Sequence, residues 1–196
     1  NALTKRGFSS LYNYSNAANP RVFLTVASGA NKLGDLVFEL YEDRQPVAAG
    51  NFQHALSSYV GKPINKGMAG LGLIAGRTDE QNNGAHGVWN PDGDLNMRHY
   101  KRGILTTTSE GPSRNGNEFM VTFNSASFLD GYQTVFGELV EGQDVLAKIE
   151  DHIDRQGNVS GDLSFVQVVP SDVLTSNLYL SNSKLNYCAE GVLGFW

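Results

Sequence analysis

The sequence predicts a mainly β domain: a closed antiparallel barrel of eight strands, capped by two helices and flanked by extended N- and C-terminal tails. Three observations carry this reading. Short apolar runs alternate with polar residues and are separated by turns rich in Gly, Asn and Asp. Only two segments space their apolar residues with the helical period. The strands do not alternate with helices in the βαβ manner that builds a parallel sheet, so the sheet should be antiparallel and close on itself. At 196 residues, with 22 glycines, the chain has room for one hydrophobic core and not for two.

The elements follow in order. Residues 1–20 are polar and rich in Asn and Ser and read as an extended arm ending at Asn19-Pro20; the domain proper spans 21–169, and 170–196 form a C-terminal extension. Arg21 to Val26 and Leu33 to Leu40 are β-rich and are split by Ser28-Gly29-Ala30-Asn31, which predicts a hairpin. Pro46 then opens a helix, since proline is tolerated in a first turn, and Ala48, Phe52, Ala55, Leu56 and Tyr59 form one buried stripe that ends at Gly61. From Lys62 to Asp94 long Gly- and Asn-rich loops surround one short strand at Leu71 to Ala75. Gly103 to Thr108, Phe119 to Phe123 and Thr134 to Glu138 are further strands, Gln143 to Ile153 is the second helix, and Leu163 to Val169 closes the sheet.

Composition excludes several functions. A net charge of −5 and the absence of any Lys/Arg run longer than two leave no polycationic face for a phosphate backbone, so nucleic acid is not expected as a partner. The single cysteine, Cys188, provides neither an internal disulfide nor a thiolate cluster. The apolar runs are strand-length, well short of the roughly 20 residues of a membrane-spanning helix, so membrane association is expected only through partners.

Three ordered blocks resemble one family, the cyclophilin-type peptidyl-prolyl cis-trans isomerases. Leu33-Gly34-Asp35-Leu36-Val37-Phe38-Glu39-Leu40-Tyr41, with Pro46 and Asn51-Phe52, is similar to the family's opening hairpin strand and first helix. Gly103-Ile104-Leu105, Gly111-Pro112 and Asn115-Gly116-Asn117-Glu118-Phe119 resemble its Gly-Ile-Leu, turn and Gly-Ser-Gln-Phe-Phe strand. Phe128-Leu129-Asp130-Gly131, Val135-Phe136-Gly137 and Val140-Glu141-Gly142 resemble its Trp-Leu-Asp-Gly, Val-Phe-Gly and Glu-Gly run. The likeness covers about residues 21–169. Each block also has a purely structural reading: Asp130-Gly131 is a turn pair, Gly116 suits a backbone torsion that side chains resist, and Phe119 and Phe136 are core aromatics by pattern.

The resemblance implies an isomerase chemistry that this chain has largely lost. Rotation of an X-Pro bond crosses a resonance barrier of about 18 to 20 kcal/mol. In the family an arginine from a Phe-His-Arg strand is thought to lower it by hydrogen-bonding the prolyl nitrogen. Here Lys66-Gly67 runs directly into Met68-Ala69-Gly70-Leu71-Gly72-Leu73-Ile74-Ala75-Gly76-Arg77, about four residues short, and the Phe-His-Arg is missing. By register, Leu73 and Ile74 stand at the ring-binding Phe and Met and Gly76 at the backbone-binding Gln. Thr108 takes the place of a small alanine, Met120 of the pocket-floor Phe, Phe128 of the tryptophan and Gln133 of the histidine; Phe128 and Leu129 alone keep the family's chemistry. No catalytic residue is therefore assigned. Losing one preorganised donor costs about 10² to 10³ in rate. Arg77 is the candidate relocated donor, although beside Asp79 and Glu80 it reads more simply as a solvated loop cation.

The remaining patterns yield no site. Gly70-Leu71-Gly72 with Gly76 lacks the helix that a dinucleotide loop requires. Asn90, Asp92 and Asp94 alternate like a calcium loop, but Lys101 stands where the bidentate acid belongs. Histidines 54, 86, 99 and 152 are scattered, Asn13-Tyr14-Ser15 and Asn158-Val159-Ser160 are weak glycosylation patterns, and neither a metal nor a cofactor is expected. The C-terminal extension carries many large apolar groups, among them Leu178, Tyr179, Leu180, Tyr187, Phe195 and Trp196, which favour docking on another chain over wrapping the barrel. The expected role is a non-catalytic subunit of a larger protein assembly; the competing expectation is an isomerase or proline-peptide binder with an altered pocket. Lys5-Arg6-Gly7-Phe8-Ser9-Ser10 resembles the end of a mitochondrial presequence, which favours an organelle, mitochondrion before plastid, with the cytoplasm as the alternative.

Overall fold

The computed structural model describes residues 12–64, 66–77, 95–109 and 115–170. The expected hairpin is there: β1 (Arg21–Ser28) pairs antiparallel with β2 (Asn31–Leu40) around the Gly29-Ala30 turn. The first helix, α1 (Pro46–Tyr59), buries Ala48, Ala49, Phe52, Ala55, Leu56 and Tyr59 as its spacing predicts, and the chain leaves it through Val60 in extended backbone. β3 (Lys66–Met68) and β4 (Gly72–Ala75) form a short hairpin; β5 (Ile104–Ser109), β6 (Asn115–Thr122), β7 (Val135–Glu141), α2 (Gln143–Asp151) and β8 (Leu163–Pro170) complete the chain. No helix among the described residues is long and apolar enough to cross a membrane.

All eight strands belong to one antiparallel sheet in the order β3-β4-β6-β5-β7-β2-β1-β8. Register shifts interrupt five of the seven ladders, and each such bulge adds local twist and bend. The sheet therefore curls, but it does not close into the expected barrel: β3 and β8 end the order without pairing. Residues 60–64 lie in the gap and reach β8 only through isolated bridges, Val60 to Phe165 and Pro63 to Ser164. Two backbone bonds hold this seam, Gly61 N to Phe165 O at 2.8 Å and Ile64 N to Leu163 O at 2.7 Å. A regular ladder cannot run through it, because Pro63 has no N–H and Gly61 sits at φ +75. The closure expected from the absence of βαβ alternation is thus not reached.

The concave side holds the core. Phe52 and Tyr59 of α1 meet Phe119 of the sheet, Phe52 also meets Phe136, and Phe165 packs on Phe119, with Phe52 and Phe119 edge to face at 5.0 Å. Each such fully buried ring contributes about 1.5 to 3 kcal/mol of burial free energy. A smaller cluster, Tyr41, Met97, Ile104 and Val135, lies apart from this core, with Tyr14 and Tyr100 packed on it. Residues 12–20, expected to precede the domain as an arm, are packed on it instead. Ser15 Oγ and the Asn16 backbone N–H each donate to the buried Glu39 carboxylate at 2.7 Å, Asn19 Nδ2 adds a third bond at 3.2 Å, and Tyr14 packs edge-on against Tyr41. A buried carboxylate needs such donors, and the polar arm residues supply them.

Candidate functional site

Strand alternation sorts the residues that the resemblance pointed to. On β4, Leu73 and Ala75 face the main core while Ile74 faces the opposite side. On β6, Phe119 and Val121 face the core, and Glu118 and Met120 point the other way. Because successive side chains point to opposite faces, Leu73 cannot share a pocket with Ile74. It is a core residue and not a pocket residue.

The outward set forms a groove of about 310 Å³. Met68, Leu71, Ile74, Met120 and Leu129 give it apolar walls; Lys66, Arg77, Thr108, Glu118 and Gln133 give it polar groups. Five of the residues read by register, Ile74, Thr108, Met120, Leu129 and Gln133, are thus brought together. Phe128 is not among them: it lies on the 3-10 turn Ser127–Leu129 and is 65% exposed. A three-residue turn points neighbouring side chains in different directions, so Leu129 enters the groove and Phe128 does not. β3 contributes Lys66–Met68 before the turn to β4.

Gly76 lines a second depression, of about 370 Å³, with Pro63, Lys66, Ile74, Ala75, Arg77 and Glu118. Its role is conformational. With φ +91, a Cβ there would lie 2.6 Å from Asn117 O and 2.7 Å from the Phe119 ring. Glycine lets the chain leave β4 tightly against β6, which delivers Arg77 to the groove.

Arg77, read from the sequence as a relocated donor or a solvated loop cation, lies on the groove with 40% of its side chain exposed. Its Nε donates to Glu118 Oε1 at 3.3 Å, and Thr108 Oγ1 donates to Glu118 Oε2 at 2.8 Å. Asp79 and Glu80 lie outside the described residues. Glu118 is buried, with 8% exposed, and the sequence reading quoted it within the family-like block without assigning it to the site. The available signal was its place: a carboxylate where the family pattern has a carboxamide. Gln133 presents a buried Oε1 that has no hydrogen-bond partner among the described residues. An unsatisfied buried acceptor costs about 1 to 3 kcal/mol.

A second polar constellation lies beyond the groove. The His99 ring is fully buried, with Nδ1 at 2.8 Å from Asp130 Oδ1 and Nε2 at 3.0 Å from Thr106 Oγ1. Asp130 Oδ1 also accepts the His99 backbone N–H at 2.8 Å. Burial outweighs the Asp130 carboxylate and holds the His99 imidazole below its ordinary value. The ring is therefore neutral near pH 7, donating through Nδ1 to Asp130. It ties the 97–100 segment to the Asp130-Gly131 turn and has no exposed nitrogen for acid-base work. Among the described residues no group of three or more His, Cys, Asp or Glu could hold a metal ion. Leu178, Tyr179, Leu180, Tyr187, Phe195 and Trp196, the expected docking residues, lie outside the described part of the chain.

Comparison with known proteins agrees with this architecture. Residues 23–170 match the model of the cyclophilin type peptidyl-prolyl cis-trans isomerase/CLD family. The chain is 31% identical over 146 residues to a bovine (Bos taurus) probable inactive peptidyl-prolyl cis-trans isomerase-like 6, covering 66% of this chain and 47% of that protein. It is 29% identical over 170 residues to a peptidyl-prolyl cis-trans isomerase of Encephalitozoon cuniculi (strain GB-M1), covering 82% and 98%. With the rhodopsin-specific isozyme of Calliphora vicina it shares 32% over 142 residues, covering 67% and 60%. The chain thus spans about half the length of the bovine relative and nearly all of the Encephalitozoon cuniculi one. The family model covers most of the chain and coincides with the eight-stranded domain, so the chain belongs to the cyclophilin-type peptidyl-prolyl cis-trans isomerase family.

Proposed function

We propose that this chain is a cyclophilin-fold binding subunit that holds extended peptide segments without catalysing prolyl isomerisation at an enzymatic rate. The observation that carries the reading is the engagement of Arg77 with Glu118 on the groove. An isomerase must direct a preorganised donor at the prolyl nitrogen, and the strand that holds that donor in the family pattern is reduced here to Lys66–Met68. The guanidinium that does line the groove has its Nε turned onto a carboxylate, which stabilises the positive charge in place and opposes its use on a neutral amide. The groove's apolar walls, Ile74, Met120 and Leu129 among them, suit binding. The name of the bovine relative, a probable inactive member, is consistent with such a loss.

On this reading the chain serves as a subunit of a larger assembly, in an organelle, with its apolar C-terminal extension as the anchor. The alternative, an isomerase that has moved its donor to Arg77, is favoured by one observation: Arg77 is on the groove and 40% of its side chain is exposed. A protease-coupled assay on a proline peptide separates the two. The proposal expects the uncatalysed rate for the wild-type chain and for Arg77→Ala alike. Turnover that Arg77→Ala abolishes supports the relocated donor and overturns the proposal.

A further inference from the structure

The 3-10 turn Ser127–Leu129 separates two depressions. Leu129 enters the groove described above, while Ser127 lines a further pocket of about 320 Å³ on the other side of the turn. Phe128 stands between them and is exposed, as is Tyr132 just after the turn. Exposed apolar side chains gathered beside a groove mark an interaction surface. The further pocket is walled by Tyr12, Arg98, Tyr100, Ser125, Ser127 and Asp130. Tyr12 comes from the docked stretch that precedes the matched family region of 23–170, so a part of the chain outside that match completes the pocket.

The pocket is aromatic in one part and polar in another. The Tyr12 and Tyr100 rings lie 5.6 Å apart and are tilted at 41°. Arg98 Nη1 pairs with Asp130 Oδ2 at 3.5 Å, and nearly half of the Arg98 side chain stays exposed. A guanidinium whose charge is met in this way still offers its flat face for stacking on a ring. Ser125 and Ser127 add exposed hydroxyls, which accept from a phenol O–H or an indole N–H. This set fits a ring with a polar tip, the side chain of Tyr or Trp. We infer that the pocket is a second subsite of the peptide groove: a partner segment that seats an apolar residue against Ile74, Met120 and Leu129 continues over Phe128 and places a Tyr or Trp against Tyr12, Tyr100 and Arg98. The inference rests on the peptide-binding reading above and adds to it a selection for aromatic residues.

The test uses the full chain and capped decapeptides with a central Leu-Pro pair on a Gly/Ser background, in which a single Tyr is moved from one to four residues away on either side. At one spacing the Tyr peptide should bind about tenfold more tightly than the peptide without Tyr, and Phe at the same place should gain less, because it lacks the polar tip. Tyr12→Ala and Arg98→Gln should each remove that gain, whereas Val166→Ala, at an exposed apolar position on β8, should retain it. No gain at any spacing, or a gain that survives both pocket variants, overturns this inference and leaves the peptide-binding reading standing. A dimer in sedimentation that Tyr12→Ala dissolves overturns it as well, since a second copy then occupies the pocket. Failure of every peptide to bind removes the peptide-binding reading and this inference with it.

Discussion

Arg77 Nε donates to Glu118 Oε1 at 3.3 Å, joining the end of β4 to β6 on the groove itself. The two partners sit in different environments: the Arg77 side chain is 40% exposed and the Glu118 side chain 9%. Arg77→Ala should therefore lower stability by less than about 1 kcal/mol, the range of solvent-screened pairs. Thr108→Val removes the 2.8 Å bond to the buried carboxylate and should cost more, about 1 to 2 kcal/mol. Urea unfolding of both variants checks the order. An Arg77 variant less stable than the Thr108 variant contradicts it.

Gly76→Ala should destabilise far more than Gly29→Ala, although both positions have positive φ. At Gly29 nothing lies within 4 Å of an added Cβ, so only the torsional cost of about 1 kcal/mol applies. At Gly76 the methyl would meet Asn117 O at 2.6 Å, backbone that must move, and a loss of about 3 kcal/mol or more is expected. Thermal midpoints measured side by side decide the matter. Equal shifts would mean that β4 does not approach β6 as described.

The fold was largely legible because its signals are local. The α1 stripe from Ala48 to Tyr59 and the β1–β2 hairpin follow from spacing and from turn residues, and the structure repeats them almost residue for residue. Closure was not legible, since it depended on how residues 60–64 meet β8, a contact about a hundred residues distant in sequence. The groove was legible in part. Register assigned Ile74, Thr108, Met120, Leu129 and Gln133 to one place, but it ignored the face each residue presents, which is why Leu73 belongs to the core. Glu118 escaped assignment to the site because its partners, Arg77 and Thr108, come from two other segments. The docked stretch Ser15 to Asn19 escaped for the same reason: its purpose, capping Glu39, is visible only once β2 lies beneath it.

That docked stretch lies outside the matched family region of 23–170 and still contributes to the domain. Tyr14 packs edge-on against Tyr41 and Tyr100, with the Arg44 guanidinium 5.3 Å from its ring centre. Tyr14→Ala should cost about 2 kcal/mol through lost apolar burial and ring contacts. Tyr132→Ala, at a position 81% exposed, should change stability by less than about 0.5 kcal/mol. Denaturant midpoints that place the two variants together would show that residues 12–19 are not part of the folded unit.

His99 makes stability fall on mild acidification. Its imidazole is held below the ordinary value of 6.5 by burial, so below that pH the unfolded chain binds a proton that the folded chain resists. The contribution is fully present above about pH 6.5 and is lost as pH falls toward and through the folded value. Melting temperatures between pH 7.5 and 5 should drop for the wild type, and His99→Gln should flatten the slope while lowering the plateau. An unchanged slope in the variant would place the titrating group elsewhere.

The central claim is binding without turnover, and exchange NMR on a labelled proline peptide reads both quantities in one sample. With stoichiometric full-length chain the account predicts saturable shifts in the Thr108, Met120 and Leu129 methyl resonances, while cis-trans exchange of the peptide stays at its uncatalysed rate. Exchange cross-peaks appearing within a second at the same saturation, and vanishing in Arg77→Ala, would contradict it.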